Sequence, residues 1–456
     1  MGAVVVLQEA EFFIVSWPCF GGRHVILSHV DFLNRGYVMD FLLIRDEIFE
    51  SSGLIRAIIS VLEFGRAPAG VADPSGSSTW FGEISDIFVE ANGYVTARRR
   101  NRKVARISEF TVSADVVYEF ARRIARVDNV LGTIQENIQR RGLAEIDGMI
   151  ALSSYRIRFN ICLSEQPLLE RAAQEGSDGS LVPLLSISIR RFPLRAVPLE
   201  KVGYQDKVIP AIKQVLGQQS GIIALSGPTS SGKTISSSAL LREAGMQRAC
   251  RIITIENPPE IPLPSLSSDS FQSPSISVHR AVGEPGGPPT FLAGLMGAKR
   301  QNPDIIFVGE ARDDETKSMV VDTGAAGMLV MTTLHAPSPV DVVMQLCQAS
   351  SNQLVANNLL MVIHQVIVPV KHEDKQDDGL SFSSSVLCAD VVKISDAARK
   401  LIAEGNFTDL RRQFREEYKT HTASSMNDTL LQLLKSGQID RPTAIAYTSD
   451  REMLQA

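Results

Sequence analysis

From residue 205 onward, short continuous apolar runs, "GIIAL", "RIITI", "DIIFV" and "MLVMTTL", alternate with segments of helical periodicity. Strands that are apolar on both faces and separated by helices predict a parallel sheet buried between helical layers. Earlier residues follow a different pattern. Residues 1–75 mix apolar segments ("FFIVSW", "MDFLLIRDEIF", "LIRAIISVLEF") and end in a breaker cluster, "GRAPAGVADPSGSS". In "DIFVEANGYVTARRR" an Asn-Gly pair flanked by strand formers predicts a hairpin. Residues 113–142 read as one helix, with Ser113 as N-cap and Gly142 as the stop. Strands resume at 149–163 and 184–193. The expected organisation is an N-terminal extension (1–75), an α+β domain (76–195), a hinge linker (196–204), an α/β domain (205–395) and a helical C-terminal region (396–456). Residues 257–290 are rich in Pro, Ser and Gly and read as a long loop.

Composition narrows the class. The net charge is −5, with 21% charged and 44% hydrophobic residues, which disfavours a dedicated nucleic-acid binder. The five cysteines are too widely scattered for a zinc site or a disulfide framework. The first residues lack a basic n-region, and "LLMVIHQVIVPV" is too short to span a bilayer, so a cytoplasmic chain is expected. The basic run "ARRRNRK" (97–103) has no interleaved aromatics and reads as a solvated strand face or subunit contact.

The chemistry starts at Gly227, Pro228, Thr229, Ser230, Ser231, Gly232, Lys233 and Thr234, which satisfy G-x-x-x-x-G-K-[ST]. Glycines let backbone N–H groups turn onto phosphates, Lys233 reaches the β/γ oxygens, and the Thr234 hydroxyl can ligate Mg²⁺. The helix that follows presents its positive end to the anion. In an open parallel sheet, ligands bind beyond the carboxyl ends of the strands. Each apolar run delivers polar groups at that end: the loop after "GIIALS", Glu256 after "RIITI", Glu310 after "DIIFV" and His335 after "MLVMTTL".

At these residues the sequence resembles the secretion and pilus-motor ATPases, hexameric motors of type II secretion, type IV pili and type IV secretion. "GPTSSGKT" is similar to their Walker A box, "TIENPPE" to their Asp box, "NPDIIFVGEARDDET" to their Walker B and "AAGMLVMTTLHAPS" to their His box. "YRIRFNI" and "ISIRRFPLRAVPLEKVGY" resemble the end of their N-terminal domain and its hinge. The tail resembles the pilus-retraction motors, and conjugation and Dot-type ATPases share the layout.

The resemblance implies a RecA-like P-loop ATPase domain preceded by a smaller α+β, PAS-like domain. It implies ATP and Mg²⁺ as cofactors, with Thr234 and Glu310 holding the metal, partly through water. Glu256, or secondarily Glu260, would orient or deprotonate the attacking water, and His335 would sense the γ-phosphate or relay to the next element. Arg158, Arg190, Arg191, Arg300 and Arg312 occupy arginine-sensor positions, with Asp313 linking to a neighbour. The implied partners are further copies in a homohexamer and an inner-membrane platform protein, with peripheral membrane association through that partner and no direct nucleic acid. Ser230, Asn257 and Met328 depart from the family pattern. The alternatives are a hexameric RecA-like nucleic-acid translocase and a non-hydrolysing assembly scaffold.

Overall fold

The computed structural model describes three short strands between residues 5 and 28, and then residues 84–99, 104–141, 144–151, 155–164, 173–175, 181–193, 195–261, 263, 276–282, 287–370, 385–420 and 422–448. The chain divides into two compact units, Met1–Leu194 and Arg195–Ala456.

In the first unit, Val5–Glu9 (β1), Phe12–Ser16 (β2) and His24–Ser28 (β3) form an antiparallel meander. The segments "MDFLLIRDEIF" and "LIRAIISVLEF" and the breaker cluster lie outside the described residues. Six strands make an antiparallel sheet: β4 (Ile84–Glu90), β5 (Tyr94–Arg99), β6 (Val104–Thr111), β7 (Glu145–Ala151), β8 (Tyr155–Leu163) and β11 (Leu185–Pro193). Their order is β6-β5-β4-β11-β8-β7, and a short β9–β10 hairpin (Ala173–Glu175, Leu181–Pro183) precedes β11. The Asn-Gly turn is present: Asn92 has φ +58°, and the Gly93 N–H donates to the Glu90 carbonyl at 3.0 Å.

The single helix expected over 113–142 is two helices, Ala114–Ala125 and Val130–Arg141. Arg126 closes the first at φ +56°, donating to the Arg122 and Arg123 carbonyls, and the Asn129 side chain accepts from the Gly132 N–H at 2.9 Å. The break lets each helix keep its own buried stripe. The first buries Val117, Phe120, Ala121 and Ile124 at helical spacing, and the second buries Val130 and Ile134. In the basic run, Arg98 lies over the Phe88 ring at 4.9 Å, and residues 100–103 lie outside the described residues.

The second unit is built on a seven-stranded sheet. Its strands are β12 (Gly221–Ser226), β13 (Arg251–Glu256), β14 (Ile276–Ala281), β15 (Ile305–Val308), β16 (Leu329–Leu334), β17 (Leu359–Pro369) and β18 (Ser385–Lys393). The order is β14-β13-β15-β16-β12-β17-β18, parallel throughout except for the β17–β18 pair. β12, β15 and β16 are buried along their whole length, as the continuous apolar runs require. β14 corrects the sequence reading, since it lies inside the stretch taken as one long loop. Helices Phe291–Lys299, Asp314–Ala325 and Pro339–Ala349 share the main core with the sheet. Helices Met426–Lys435 and Arg441–Tyr447 pack Met426, Leu430, Leu433 and Ala444 against Val366, Val368 and Cys388 of the β17–β18 pair.

Residues 196–204, expected as a hinge linker, carry the buried side chains Ala196, Leu199 and Tyr204, and a 3₁₀ turn at Leu199–Lys201 packs on helix Lys233–Gln247. β17 also buries polar groups. His364 Nδ1 pairs with Ser226 Oγ at 2.9 Å, and Gln365 is fully buried.

Burial pushes His364 down from 6.5 to about 4, against the opposing pull of Asp341. The unfolded chain therefore takes up a proton that the folded chain refuses. This contribution to stability is complete above pH 6.5 and declines as the pH falls toward 4, by up to about 3 kcal/mol. In urea unfolding of wild type and His364→Gln, the stability gap should narrow as the pH is lowered from 7 to 4; a gap independent of pH would contradict a buried neutral imidazole.

Candidate active site

β12 ends at Ser226 and the chain turns at once. Gly227 has φ +144°, and a Cβ there would stand 2.2 Å from the Gln365 carbonyl oxygen and 2.7 Å from Ser231 Oγ. Only glycine fits between the loop and β17. Ser230 at φ +64° and Gly232 at φ +86° complete the turn into helix Lys233–Gln247. The serine at 230, a departure from the family pattern, thus occupies a left-handed position that costs an L-residue about 1–2 kcal/mol. Pro228 and Thr229 are exposed, whereas Ser231 is buried.

Lys233 curls back over this loop. Its ammonium group donates to the Gly227 carbonyl at 2.7 Å and to the Pro228 carbonyl at 2.9 Å. Burial lowers its pKa, and the negative charge of Glu310 opposes that shift. Lys233 and Glu310 therefore feel one another across the rim.

The neighbouring strands complete the site. After β15, the Gly309 N–H donates to the Ile255 carbonyl of β13 at 2.8 Å, and Thr333 of β16 donates its hydroxyl to the Gly309 carbonyl at 2.6 Å. The Ala311 N–H returns a bond to the Thr333 carbonyl at 3.0 Å. Pinned on both sides, Glu310 accepts from Arg312 at 2.8 Å and faces His335 Nε2 at 3.1 Å. The Glu310 side chain is only 18% exposed, against 75% for Arg312 and 52% for His335. Glu310 also raises the pKa of Arg312, first through their hydrogen bond.

Glu256, at the end of β13, is buried and lines a cleft together with Thr234, Ser237, Phe307, Ile261 and Leu263. Glu260 is half-buried on the segment running from β13 to Ile261. Thr234 and Glu256 thus share a cleft, while Lys233, Glu310 and His335 share a charge cluster.

Among the described residues no group of three or more His, Cys, Asp or Glu could hold a metal by itself. One hydroxyl, Thr234, and one carboxylate, Glu310, nevertheless suit Mg²⁺, which keeps several waters and is completed by substrate phosphates. The loop also fits a phosphate: the buried Ser231 hydroxyl has no hydrogen-bond partner, and the glycine cradle leaves no room for a Cβ at 227.

The arginines divide. Arg312 is at the rim. Arg158 and Arg190 are register partners on β8 and β11 of the first unit, where Arg190 pairs with the buried Asp86 at 2.6 Å and Arg158 lies 3.6 Å from Asp147. Arg191 follows on β11. Arg300 is not brought to the rim. It caps helix Phe291–Lys299, and the next residue, Gln301, accepts from Arg251 at the start of β13, the opposite edge of the sheet.

Asp313 serves as a helix N-cap, accepting from the Thr316 N–H at 2.7 Å and the Thr316 hydroxyl at 2.9 Å, so its carboxylate is committed inside the chain. Met328 lies at the start of β16, packed on the core and away from His335 at its other end, whereas Asn257 follows Glu256 directly and is exposed. Sequence reasoning missed Tyr204 and Gln365. The Tyr204 hydroxyl donates to Gln365 Oε1 at 3.0 Å, and Gln365 Nε2 donates to the Ser231 carbonyl at 2.8 Å. No local pattern announces contacts so distant in the chain.

A Gly227→Ala variant should lose at least about 2 kcal/mol of stability, from the left-handed φ and the clash with Gln365, and should not bind nucleotide. Calorimetry on the folded variant checks this, and wild-type affinity would show that the loop is not pinned against β17.

Known proteins resemble this chain in sequence and in fold. A family model described as type II/IV secretion system protein matches residues 175–441. The chain is 28% identical over 267 residues to the type II secretion system protein HxcR of Pseudomonas aeruginosa, covering 55% of this chain and 54% of that protein. It therefore spans about half the length of that relative. Among solved structures, the Legionella pneumophila ATPase DotB is similar with a TM-score of 0.60 at 20% identity, covering 80% of this chain and 91% of that one. The pilus retraction motor PilT with bound ADP is similar with a TM-score of 0.60 at 23% identity, covering 82% and 95%. These likenesses support the RecA-like ATPase fold.

Proposed function

This chain belongs to the type II/IV secretion system protein family, and from that membership we propose that it is an ATP-hydrolysing motor for a pilus or secretion machine. The observation that carries the reading is the common rim, where a phosphate-binding loop, two strand-end carboxylates and a histidine meet at the carboxyl edge of one parallel sheet.

Phosphoryl transfer asks the protein for positioning and charge neutralisation. Lys233 exchanges its two carbonyl acceptors for β/γ-phosphate oxygens, and the loop N–H groups and the Ser231 hydroxyl take the remaining oxygens. Thr234 and Glu310 would hold Mg²⁺, which would supply neutralisation of the developing phosphate charge. Glu256, buried beside Thr234, orients the attacking water and accepts its proton, with Glu260 behind it. His335, released from Glu310, senses the γ-phosphate. Arg158, Arg190 and Arg191 act as sensors toward nucleotide in the same or an adjacent subunit of a hexamer, and Arg312 does so at its own rim; Arg300, at the opposite edge of the sheet, has no such role within its own subunit.

Four charge-assisted hydrogen bonds to a γ-phosphate, at roughly 1.5–3 kcal/mol each, cover the ~5.5 kcal/mol needed to invert a 1:99 equilibrium. That suffices to rock the first unit against the second on each turnover. No helix among the described residues is long and apolar enough to cross a membrane. In this reading, which rests on the family membership, the chain works as a cytoplasmic ring docked peripherally on an inner-membrane platform protein.

Lys233→Ala should abolish phosphate release while the fold persists, and Glu256→Gln should lower kcat by at least ~10²-fold with ATP affinity nearly unchanged. Steady-state phosphate release and calorimetry check both, and turnover retained by either variant would refute its role. Sedimentation should show a hexamer with nucleotide. Stimulation by a platform protein supports the motor, whereas stimulation by DNA or RNA alone would point to a translocase.

A further inference from the structure

We propose that Gln365 is a positioning residue for nucleotide binding, acting through the phosphate-binding loop, with Tyr204 setting its side chain. This rests on the reading of residues 227–234 as the nucleotide seat. Gln365 touches that loop twice. Its backbone carbonyl is the atom that would collide with a Cβ on Gly227, and its side-chain Nε2 donates to the Ser231 carbonyl at 2.8 Å. The Ser231 carbonyl can only accept, so the amide nitrogen must face it and Oε1 must face Tyr204. There the Tyr204 hydroxyl donates at 3.0 Å. Gln365 is fully buried and Tyr204 nearly so, and burial pushes the phenol up, keeping it a protonated donor.

The consequence follows from peptide geometry. In a trans peptide the C=O of one residue and the N–H of the next point in opposite directions. Anchoring the Ser231 carbonyl on the β17 side therefore turns the Gly232 N–H to the opposite side, where the loop receives phosphate. Gly232 is itself held close, since a Cβ there would lie 3.3 Å from Gln365 Nε2. Tyr204 belongs to the segment that enters this unit after Arg195, so the amide bridge ties the phosphate seat to the incoming chain.

A merely structural role would stabilise the fold without setting nucleotide affinity, and ADP titration of the full chain separates the two. Gln365→Glu keeps the volume and the acceptor for Tyr204 but sets a carboxylate oxygen against the Ser231 carbonyl; Gln365→Leu removes both bonds. Both should weaken ADP binding by about tenfold, and Tyr204→Phe by about fivefold. The KM for ATP should rise by the same factors, with kcat changing less. In the Gln365→Leu background, Tyr204→Phe should add less than about twofold, because the hydroxyl's bond to the amide is already lost there.

ADP affinity within about twofold of wild type in folded Gln365→Glu, or equal Tyr204→Phe effects in both backgrounds, would overturn the proposal. If Gln365→Leu does not unfold cooperatively, the Gln365→Glu and Tyr204→Phe variants decide. A wild-type chain that binds no ADP, or one indifferent to Lys233→Ala, would overturn the nucleotide seat itself. Binding that is lost in Lys233→Ala but intact in Gln365→Glu would overturn the positioning role alone.

Discussion

Gly309 lies so close to β13 that a Cβ would stand 3.1 Å from the Ile255 carbonyl and 3.4 Å from Glu256 Cα. The rim depends on this approach. It sets Glu256 and Glu310 at the ends of adjacent parallel strands, where the hydrogen bonds of Gly309 and Thr333 hold the backbone beside them. Concentrated negative charge at the edge of a buried sheet needs compensation. Arg312 and the more distant Lys233 provide it at Glu310, beside which His335 Nε2 lies at 3.1 Å.

The same groups explain how such a rim is stable without ligand and still ready for one. Lys233 holds two loop carbonyls, and Glu310 holds an arginine and a histidine. Each charge already has a partner, so binding a magnesium-bound triphosphate is an exchange of partners and not the burial of bare charge. Exchange is inexpensive where desolvation has already occurred. It also gives the nucleotide a lever, because Arg312 and His335 are freed when Glu310 turns to another cation, and both are exposed enough to report the change.

The fold of the second unit was legible because continuous apolar runs and an eight-residue loop motif both survive as local patterns. β12, β13, β15 and β16 and their strand-end groups stand where those patterns place them. What escaped was non-local or disguised. β14 alternates Ile276 and Val278 with polar neighbours inside a Pro/Ser-rich stretch, so composition masked a period-two signal. Arg126 and Asn129 end and restart a helix by backbone conformation and capping, which a single helical period conceals. Arg300 follows the helix before β15, and a parallel βα unit puts that end at the edge of the sheet opposite Glu310. Tyr204 and Gln365 meet across 161 residues, and pairing at that distance leaves no trace in spacing.

The most direct measurement is a structure of the full chain with Mg²⁺ and a non-hydrolysable ATP analogue. Lys233 Nζ is expected to have left the Gly227 and Pro228 carbonyls for the β/γ oxygens, with Thr234 and Glu310 turned toward the metal and Glu256 facing the γ-phosphate. A nucleotide bound elsewhere, or bound at the loop with Lys233 still closed on its own carbonyls, would contradict the rim as the site of hydrolysis.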